Sequence, residues 1–148
     1  MSELRELYRE VILDHNREPR NFGELPGADH VVDGVNPLCG DKMTLYVKLR
    51  GDIIEDVRFK GTGCAISVAS SSLMTERVKG RPVGPTLDLV AQVHEMLTGR
   101  AAEPSESMEK LAALAGVREF PSRVKCASLA WHALKAALTG SDKSVSTE

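Results

Sequence analysis

The chain has 148 residues, enough for one compact domain with a single hydrophobic core. Its 19 basic and 21 acidic side chains give a net charge of −2, which argues against a general nucleic-acid binder. No apolar run approaches the ~18 residues of a membrane span, and we expect no signal peptide at the acidic N-terminus. The three cysteines, an odd number, then indicate free thiols in a reducing compartment, the cytoplasm.

The chain begins with a pattern that predicts an amphipathic helix over residues 3–16. Apolar side chains recur there at the spacing of one helix face, at Leu4, Leu7 and Val11. Prolines and glycines then interrupt every periodic pattern, which predicts a loop over residues 16–27.

A small antiparallel sheet is predicted next. Apolar and polar residues alternate over 43–49 and 53–59, and a tight three-residue turn between these runs predicts a hairpin. A weaker strand over 30–35 is expected to pair alongside. In the second run, Ile53 is expected on the apolar face, and Glu55 is an exception on that face.

The rest of the chain predicts helices. They run from Cys64 to about Gly80, over 86–98 with Thr86 as the cap and Gly99 as the stop, over 106–115, and from Pro121 onward. We expect residues 141–148 to be a disordered tail. The order of elements predicts a single α+β domain over residues 1–140. It would have a small antiparallel three-stranded sheet with five or six helices packed mainly on one face.

All three cysteines are predicted at the edges of these elements. Cys39 lies in a turn before a strand, Cys64 lies between a strand and a helix, and Cys126 lies in the first turns of the last helix. A thiol at a helix N-terminus is favoured as a thiolate. Asp41 follows Cys39 by two residues, so its carboxylate and the thiolate are able to face one ion. Gly40 separates these two residues, and Gly61 and Gly63 allow close approach of the backbone or a positive φ before Cys64.

Three thiolates and one carboxylate form a possible set of four ligands. Zinc accepts such a set, and iron–sulfur clusters are held mainly by thiolates. Arg123 and Lys125 are placed to offset the negative charge of four anionic ligands. The spacing alone is not diagnostic, because the gaps of 24 and 61 residues fit no standard zinc finger. Cysteines that merely pack in the core remain the alternative.

The cysteine-bearing segments are 36–41 (Asn-Pro-Leu-Cys-Gly-Asp), 61–74 and 125–132 (Lys-Cys-Ala-Ser-Leu-Ala-Trp-His), and residues 8–21 form a further distinctive segment. In this order they resemble the IscU-type iron–sulfur scaffold family, with a resemblance that covers about residues 3–139. Housekeeping members of that family carry a histidine where this chain has Lys125. They also carry a Leu-Pro-Pro-Val-Lys segment that is replaced here. These differences, with extra sequence between Gly80 and Phe120, are similar to the SufU-type branch of the SUF system.

The resemblance implies that Cys39, Asp41, Cys64 and Cys126 are ligands, and that Cys39 accepts sulfur. The implied cofactor is zinc, or alternatively a transient [2Fe–2S] cluster or iron. The implied partners are a SufS-like cysteine desulfurase and recipient apo iron–sulfur proteins, and the oligomeric state stays open. A zinc-bound thiolate is nucleophilic near neutral pH and able to attack a persulfide as in thiol–disulfide exchange.

Three functions follow from these patterns. The first is a zinc-dependent sulfur acceptor, possessing a sulfurtransferase activity, and the second is a non-catalytic scaffold that assembles and transfers a [2Fe–2S] cluster. The third, of another class, is a protein-binding module with a structural zinc. Unfolding on removal of zinc would favour the third function.

The histidines and serines are weaker candidates for site residues. His132 follows Cys126 by six residues, about 240° around the helix, and so faces elsewhere. His15 is expected to cap a helix or shape a surface. Residues 70–72 are three serines without the glycines of a nucleophile elbow, and they are expected to let a helix pack closely. Trp131 is expected to pack in the core.

Overall fold

The computed structural model describes residues 2–99, 106–140 and 144–146. Within these ranges the chain forms an α+β fold, as the sequence predicts, and none of its helices is long and apolar enough to cross a membrane. The elements are α1 (Ser2–Arg17), β1 (His30–Asn36), β2 (Asp41–Arg50), β3 (Ile53–Thr62), α2 (Ala65–Val78), α3 (Val83–Thr98), a 3₁₀ segment (Glu106–Glu119), α4 (Pro121–Thr139) and β4 (Ser144–Ser146).

The sheet has the strand order β3-β2-β1-β4. β1, β2 and β3 form the predicted antiparallel meander, with Asn36 opposite Asp41 where the β1–β2 hairpin closes. A fourth strand, β4, pairs parallel to β1, so the sheet is mixed and has four strands rather than three. β4 belongs to the segment that was expected to be a disordered tail, and residues 141–143 and 147–148 of that segment lie outside the described residues.

β3 has a bulge near the hairpin turn. Between the bulge and the turn, its side chains face the opposite sides of the sheet from those expected. The pairing shifts between Lys48 and Leu49 of β2, and Glu55 of β3 is the extra residue. An extra residue inverts which side chains face the core. Ile54 is therefore fully buried and Ile53 only partly. The prediction that Ile53 faces the core was wrong for this reason.

α3 begins earlier than predicted. Its first residue is Val83, and Pro82 occupies the N-cap position without a side-chain hydrogen bond. The Thr86 hydroxyl donates instead to the Pro82 carbonyl oxygen at 2.7 Å, a bond back across the first turn. The prediction of Thr86 as the cap was therefore wrong. Gly99 ends the helix in the left-handed conformation (φ 79°), as expected.

The predicted helix over residues 106–115 is a longer 3₁₀ segment, interrupted where Glu109 takes non-helical angles (φ 50°, ψ −125°). Its larger buried side chains are three residues apart, which matches the three residues per turn of a 3₁₀ helix, and alanines between them are buried as well. The larger side chains are Met108, Leu111, Leu114 and Val117.

α2 and α4 pack closely through a serine. The Ser70 hydroxyl donates to the Ala127 carbonyl oxygen at 2.6 Å and accepts the Trp131 indole N–H at 3.1 Å. Trp131 is buried in the core as predicted, and α4 buries side chains on more than one face. Small residues on α4, mostly alanines, permit this burial on several faces.

His15 ties α1 to α2 from a fully buried position. Its Nδ1 lies 2.7 Å from the Ser72 hydroxyl, which also accepts the Arg20 backbone N–H at 2.8 Å. The His15 Nε2 has no hydrogen-bond partner among the described residues, and the nearest carboxylate oxygen, on Glu76, is 3.8 Å away. The expected capping or surface role of His15 was wrong, because its helix packs this face against α2.

The buried His15 predicts that stability falls in mild acid. Burial, followed by the positive charges of Arg20 and Lys110, lowers the pKa of His15 below its ordinary value of 6.5. Below pH 6.5 the unfolded chain therefore binds a proton that the folded chain binds less readily, and the free energy of unfolding decreases as pH falls. Urea unfolding of wild type and His15→Gln between pH 7.5 and 5.5 measures this. The variant should be about 1–3 kcal/mol less stable at pH 7.5 and show a shallower pH dependence. Equal slopes would contradict the prediction.

Candidate metal centre

Cys39 lies in the loop that joins β1 to β2. The loop occupies residues 37–40, between the paired residues Asn36 and Asp41. Gly40 takes a left-handed conformation (φ 71°), which suits glycine and turns the chain back into β2. The Cys39 thiol is exposed to solvent.

Three of the four predicted ligands meet next to this loop. The Cys39 Sγ, a carboxylate oxygen of Asp41 and the Cys126 Sγ all lie within 4.8 Å of one another. Asp41 and Cys126 are buried, and only Cys39 reaches the surface. Because α4 packs against β1 and β2, Cys126 lies beside the hairpin. The predicted juxtaposition of Cys39 and Asp41 is thus found, with Cys126 added from the far end of the chain.

Asp41 is held by hydrogen bonds from two neighbouring segments. Its Oδ1 accepts the backbone N–H of Cys64 at 2.8 Å, and its Oδ2 accepts the side-chain amide of Asn36 at 3.2 Å. The carboxylate is 1% exposed. A buried carboxylate is stable only where hydrogen bonds or positive charge compensate for lost water. Asp41 is therefore fixed in direction before any ion binds.

Cys64 occupies the N-cap of α2, at the helix start predicted from the sequence. Its Sγ accepts the Ser67 backbone N–H at 3.4 Å and lies 4.0 Å from the Asp41 Oδ2. Free N–H groups and the helix dipole favour a negative charge at this place. The thiol does not belong to the group of atoms within 4.8 Å, so Cys64 adjoins that group as a neighbouring fourth donor.

Cys126 lies in the first turns of α4, as predicted, and is fully buried there. Burial, together with hydrogen bonds involving Cys39, Asp41 and Cys64, raises the pKa of the Cys126 thiol far above its ordinary value. The raised pKa favours the protonated thiol, and a cation beside the sulfur would favour the thiolate instead. Two soft sulfurs and an oxygen, with a third sulfur adjoining, suit zinc or iron. The residues present therefore fit the expected metal.

Glycines create the room in which the carboxylate sits. A Cβ on Gly63 would lie 2.5 Å from the Asp41 Oδ1, and one on Gly61 would overlap the Lys42 carbonyl oxygen. Real Cβ atoms do not approach so closely, and any side chain at either position would displace its neighbour. The close approach of the backbone expected at these two glycines is therefore found. Gly61 lies against β2, and Gly63 lies against Asp41, the first residue of β2.

Asn36 belongs to the site, although its side chain was not among the predicted ligands. Its Nδ2 donates to both Asp41 and Cys126, at 3.2 Å to the carboxylate and 3.4 Å to the sulfur. The signal available in the sequence was its place: it ends the strand before the Cys39 turn, opposite Asp41. Recognising it requires the hairpin register and the position of α4.

The remaining candidates lie around or away from the donors. Lys125 is partly buried and Arg123 exposed, and neither forms an ion pair with any residue that the structure describes. His132 faces away from the cysteines, as predicted, and its ring lies 6.1 Å from that of His94. Both histidines line a groove of about 470 Å³ between α3 and α4.

Comparisons with known proteins show the family to which the chain belongs. Residues 7–127 match the family model described as the NifU-like N-terminal domain. The zinc-dependent sulfurtransferase SufU of Bacillus subtilis is 46% identical over 129 residues, which cover 87% of each chain. The iron–sulfur cluster assembly scaffold protein IscU of Streptococcus pyogenes is 43% identical over 138 residues, 93% of this chain and 86% of that one.

A solved structure shares the fold. FiSufU of Fervidobacterium islandicum AW-1, named for the SUF system, superposes with a TM-score of 0.82 at 36% identity. The match covers 87% of this chain and 94% of that one.

Proposed function

Since this chain belongs to the NifU-like N-terminal domain family, we propose that it acts in iron–sulfur cluster assembly as a zinc-binding acceptor of sulfur. The name of one relative supports zinc-dependent sulfur transfer, and the name of another supports cluster assembly. The Bacillus subtilis relative is named as a zinc-dependent sulfurtransferase, and the Streptococcus pyogenes relative as a cluster assembly scaffold.

One observation carries the proposal: an exposed cysteine joins two buried donors in one cluster. Cys39 is open to solvent, whereas Asp41 and Cys126 are closed off from it. A purely structural zinc site usually buries all four ligands in a closed tetrahedron. Here the exposed thiol is accessible to a second protein, and the buried donors remain to keep the site assembled.

The residues that would hold the zinc are Cys39, Asp41 and Cys126, with Cys64 as the fourth donor. Zinc supplies one piece of chemistry to such ligands, since it keeps coordinated thiols deprotonated near neutral pH. The chain itself contributes the arrangement. Two hydrogen bonds to the buried Asp41 carboxylate and the N-terminal N–H groups of α2 near Cys64 hold the donors in place.

Sulfur transfer needs only the Cys39 thiolate and a persulfide donor. The thiolate attacks the terminal sulfur of the donor persulfide, so that a new S–S bond forms at Cys39 while the donor's S–S bond breaks. The donor cysteine leaves as a thiolate, and no oxidant or reductant is consumed. Asp41 and Cys126 are buried and present no competing surface to the donor.

The partners in this proposal are a SufS-like cysteine desulfurase, which supplies the persulfide, and apo iron–sulfur proteins, which receive the product. We place the chain in the cytoplasm, where the reducing conditions keep three free cysteines as thiols.

Elemental analysis of the freshly purified protein tests the metal site. Wild type should hold about one zinc per chain, as expected for one four-ligand site, and Cys64→Ser should lose most of it. The substitution is expected to keep the fold, because serine is a preferred N-cap residue and Cys64 caps α2. Thermal unfolding of the metal-free proteins serves as the control and should give similar midpoints.

The other outcomes separate the alternatives. Equal zinc in both proteins would remove Cys64 from the ligand set, and absence of metal from wild type would overturn the site. Iron with matching acid-labile sulfide would favour a scaffold that carries a [2Fe–2S] cluster. Unfolding on removal of zinc would favour a structural-zinc module that binds proteins.

A further inference from the structure

Asn36 places a polar amide where the strand pattern calls for an apolar residue. Buried and exposed side chains alternate along β1, and Asn36 shares the buried face with Val32 and Gly34. Its side chain is 0% exposed. A buried amide is unfavourable unless its hydrogen bonds are made, so its presence on this face requires a reason.

The amide donates to two candidate ligands that come from different elements. From its Nδ2, hydrogen bonds run 3.2 Å to the Asp41 Oδ2 at the start of β2 and 3.4 Å to the Cys126 Sγ in α4. Asn36 thus bridges the hairpin, which also carries Cys39, to the helix that supplies the most deeply buried sulfur.

The acceptor end of the same amide is unused. The Asn36 Oδ1 is buried and has no hydrogen-bond donor among the residues that the structure describes. A leucine of similar size would fill this space without leaving a buried oxygen unpaired. Packing alone therefore does not explain asparagine here, whereas the two hydrogen bonds made by its donor end do.

We propose that Asn36 is a positioning residue of the metal centre, whose amide N–H groups hold the Asp41 carboxylate and the Cys126 thiolate in their ligating arrangement. This inference rests on the proposed function, because it requires that these two residues bind the metal. Donors outside the ligand set orient ligands and offset their accumulated negative charge, and their removal typically weakens metal binding 10–100-fold.

The test compares Asn36→Leu with wild type in two measurements. Zinc affinity, measured by competition with a chromophoric chelator, should fall 10–100-fold. Cobalt(II) bound in place of zinc should keep its sulfur-to-metal charge-transfer band, shifted to lower energy, because the Cys126 thiolate has lost a hydrogen bond. A residue that merely supports the fold would not move this band. Asn36→Ala, which also lacks the amide, provides the same measurements if the leucine variant does not fold.

Thr86→Val is the matched control. Thr86 is 3% exposed and donates one hydrogen bond to the carbonyl oxygen of the N-cap residue Pro82, so the substitution removes one hydrogen bond of a buried side chain without touching the site. Its stability should decrease while its zinc affinity and cobalt spectrum stay unchanged. Zinc affinity of the Asn36 variants within twofold of wild type, with an unshifted band, would overturn this inference alone. Failure of wild type to bind either metal would overturn the proposed metal centre and the role of Asn36 with it.

Discussion

Sulfur acceptance should be abolished in Cys39→Ser, while the variant stays folded. Cys39 is exposed in a loop, so the change from sulfur to oxygen removes the nucleophile and disturbs little packing. A serine hydroxyl remains protonated at neutral pH and does not attack a persulfide as a thiolate does. Incubation with a low-molecular-weight persulfide, followed by mass spectrometry, measures the gain of one sulfur atom and locates it by peptide mapping.

Cys64→Ser provides the comparison, because it removes a different thiol of the same site and leaves Cys39 in place. The added sulfur in this variant should still map to the peptide that contains Cys39, at a reduced level if metal binding is weakened. A small donor separates the chemistry of the thiol from recognition of a desulfurase. Undiminished sulfur on Cys39→Ser would show that another cysteine is the acceptor, and the role of Cys39 would have to be abandoned.

Local patterns in the sequence suffice for the parts of the fold that are set within one or two elements. Alternation of apolar residues predicted β2 and β3, and the left-handed Gly99 ended α3 as expected. The same reasoning placed Cys64 at a helix start, where it is the N-cap of α2. It also predicted that the side chains of Cys39 and Asp41, two residues apart, face one point, and in the structure they lie close together.

Features that depend on a partner element were missed. The bulge at Glu55 is defined only by pairing with β2. The alternating run marks Glu55 as an exception on the apolar face, but it does not show that Glu55 is an extra residue. The burial of His15 depends on Ser72, which is 57 residues away. The pattern of one helix alone treats a histidine as a polar, exposed residue. His15 becomes a core residue only because α1 packs on α2.

The metal centre likewise combines residues of one hairpin with a residue from a distant part of the chain. Asn36, Cys39 and Asp41 form one hairpin, whose geometry follows from residues within six positions of one another. Cys126 reaches them across the packing of α4 on the sheet. Its place at the edge of an element made it a possible ligand, and the family resemblance implied that it is one. The hydrogen bond between Asn36 and Cys126 joins residues 90 positions apart, and no sequence pattern predicts it.

Gly63→Ala is expected to damage the metal site from a position that carries no ligand. The added Cβ would lie 2.5 Å from the Asp41 Oδ1, and so the carboxylate or the loop before α2 must move. Either movement breaks the hydrogen bond from the Cys64 N–H, which holds Asp41 beside that cysteine. Zinc affinity should fall by roughly 10–100-fold, and overpacking should cost about 1–3 kcal/mol of stability. Chelator competition and urea unfolding measure the two effects.

Gly84→Ala is the matched control for this substitution. Gly84 lies in the first turn of α3, where an added Cβ would have no atom within 4 Å, and its backbone does not require glycine. Alanine there should raise stability by about 0.5–1 kcal/mol, because glycine loses more backbone entropy in a helix. Its zinc affinity should equal that of wild type. Wild-type zinc affinity in Gly63→Ala as well would mean that the Asp41 carboxylate is free to shift without loss, and that its fixed direction is not needed for binding.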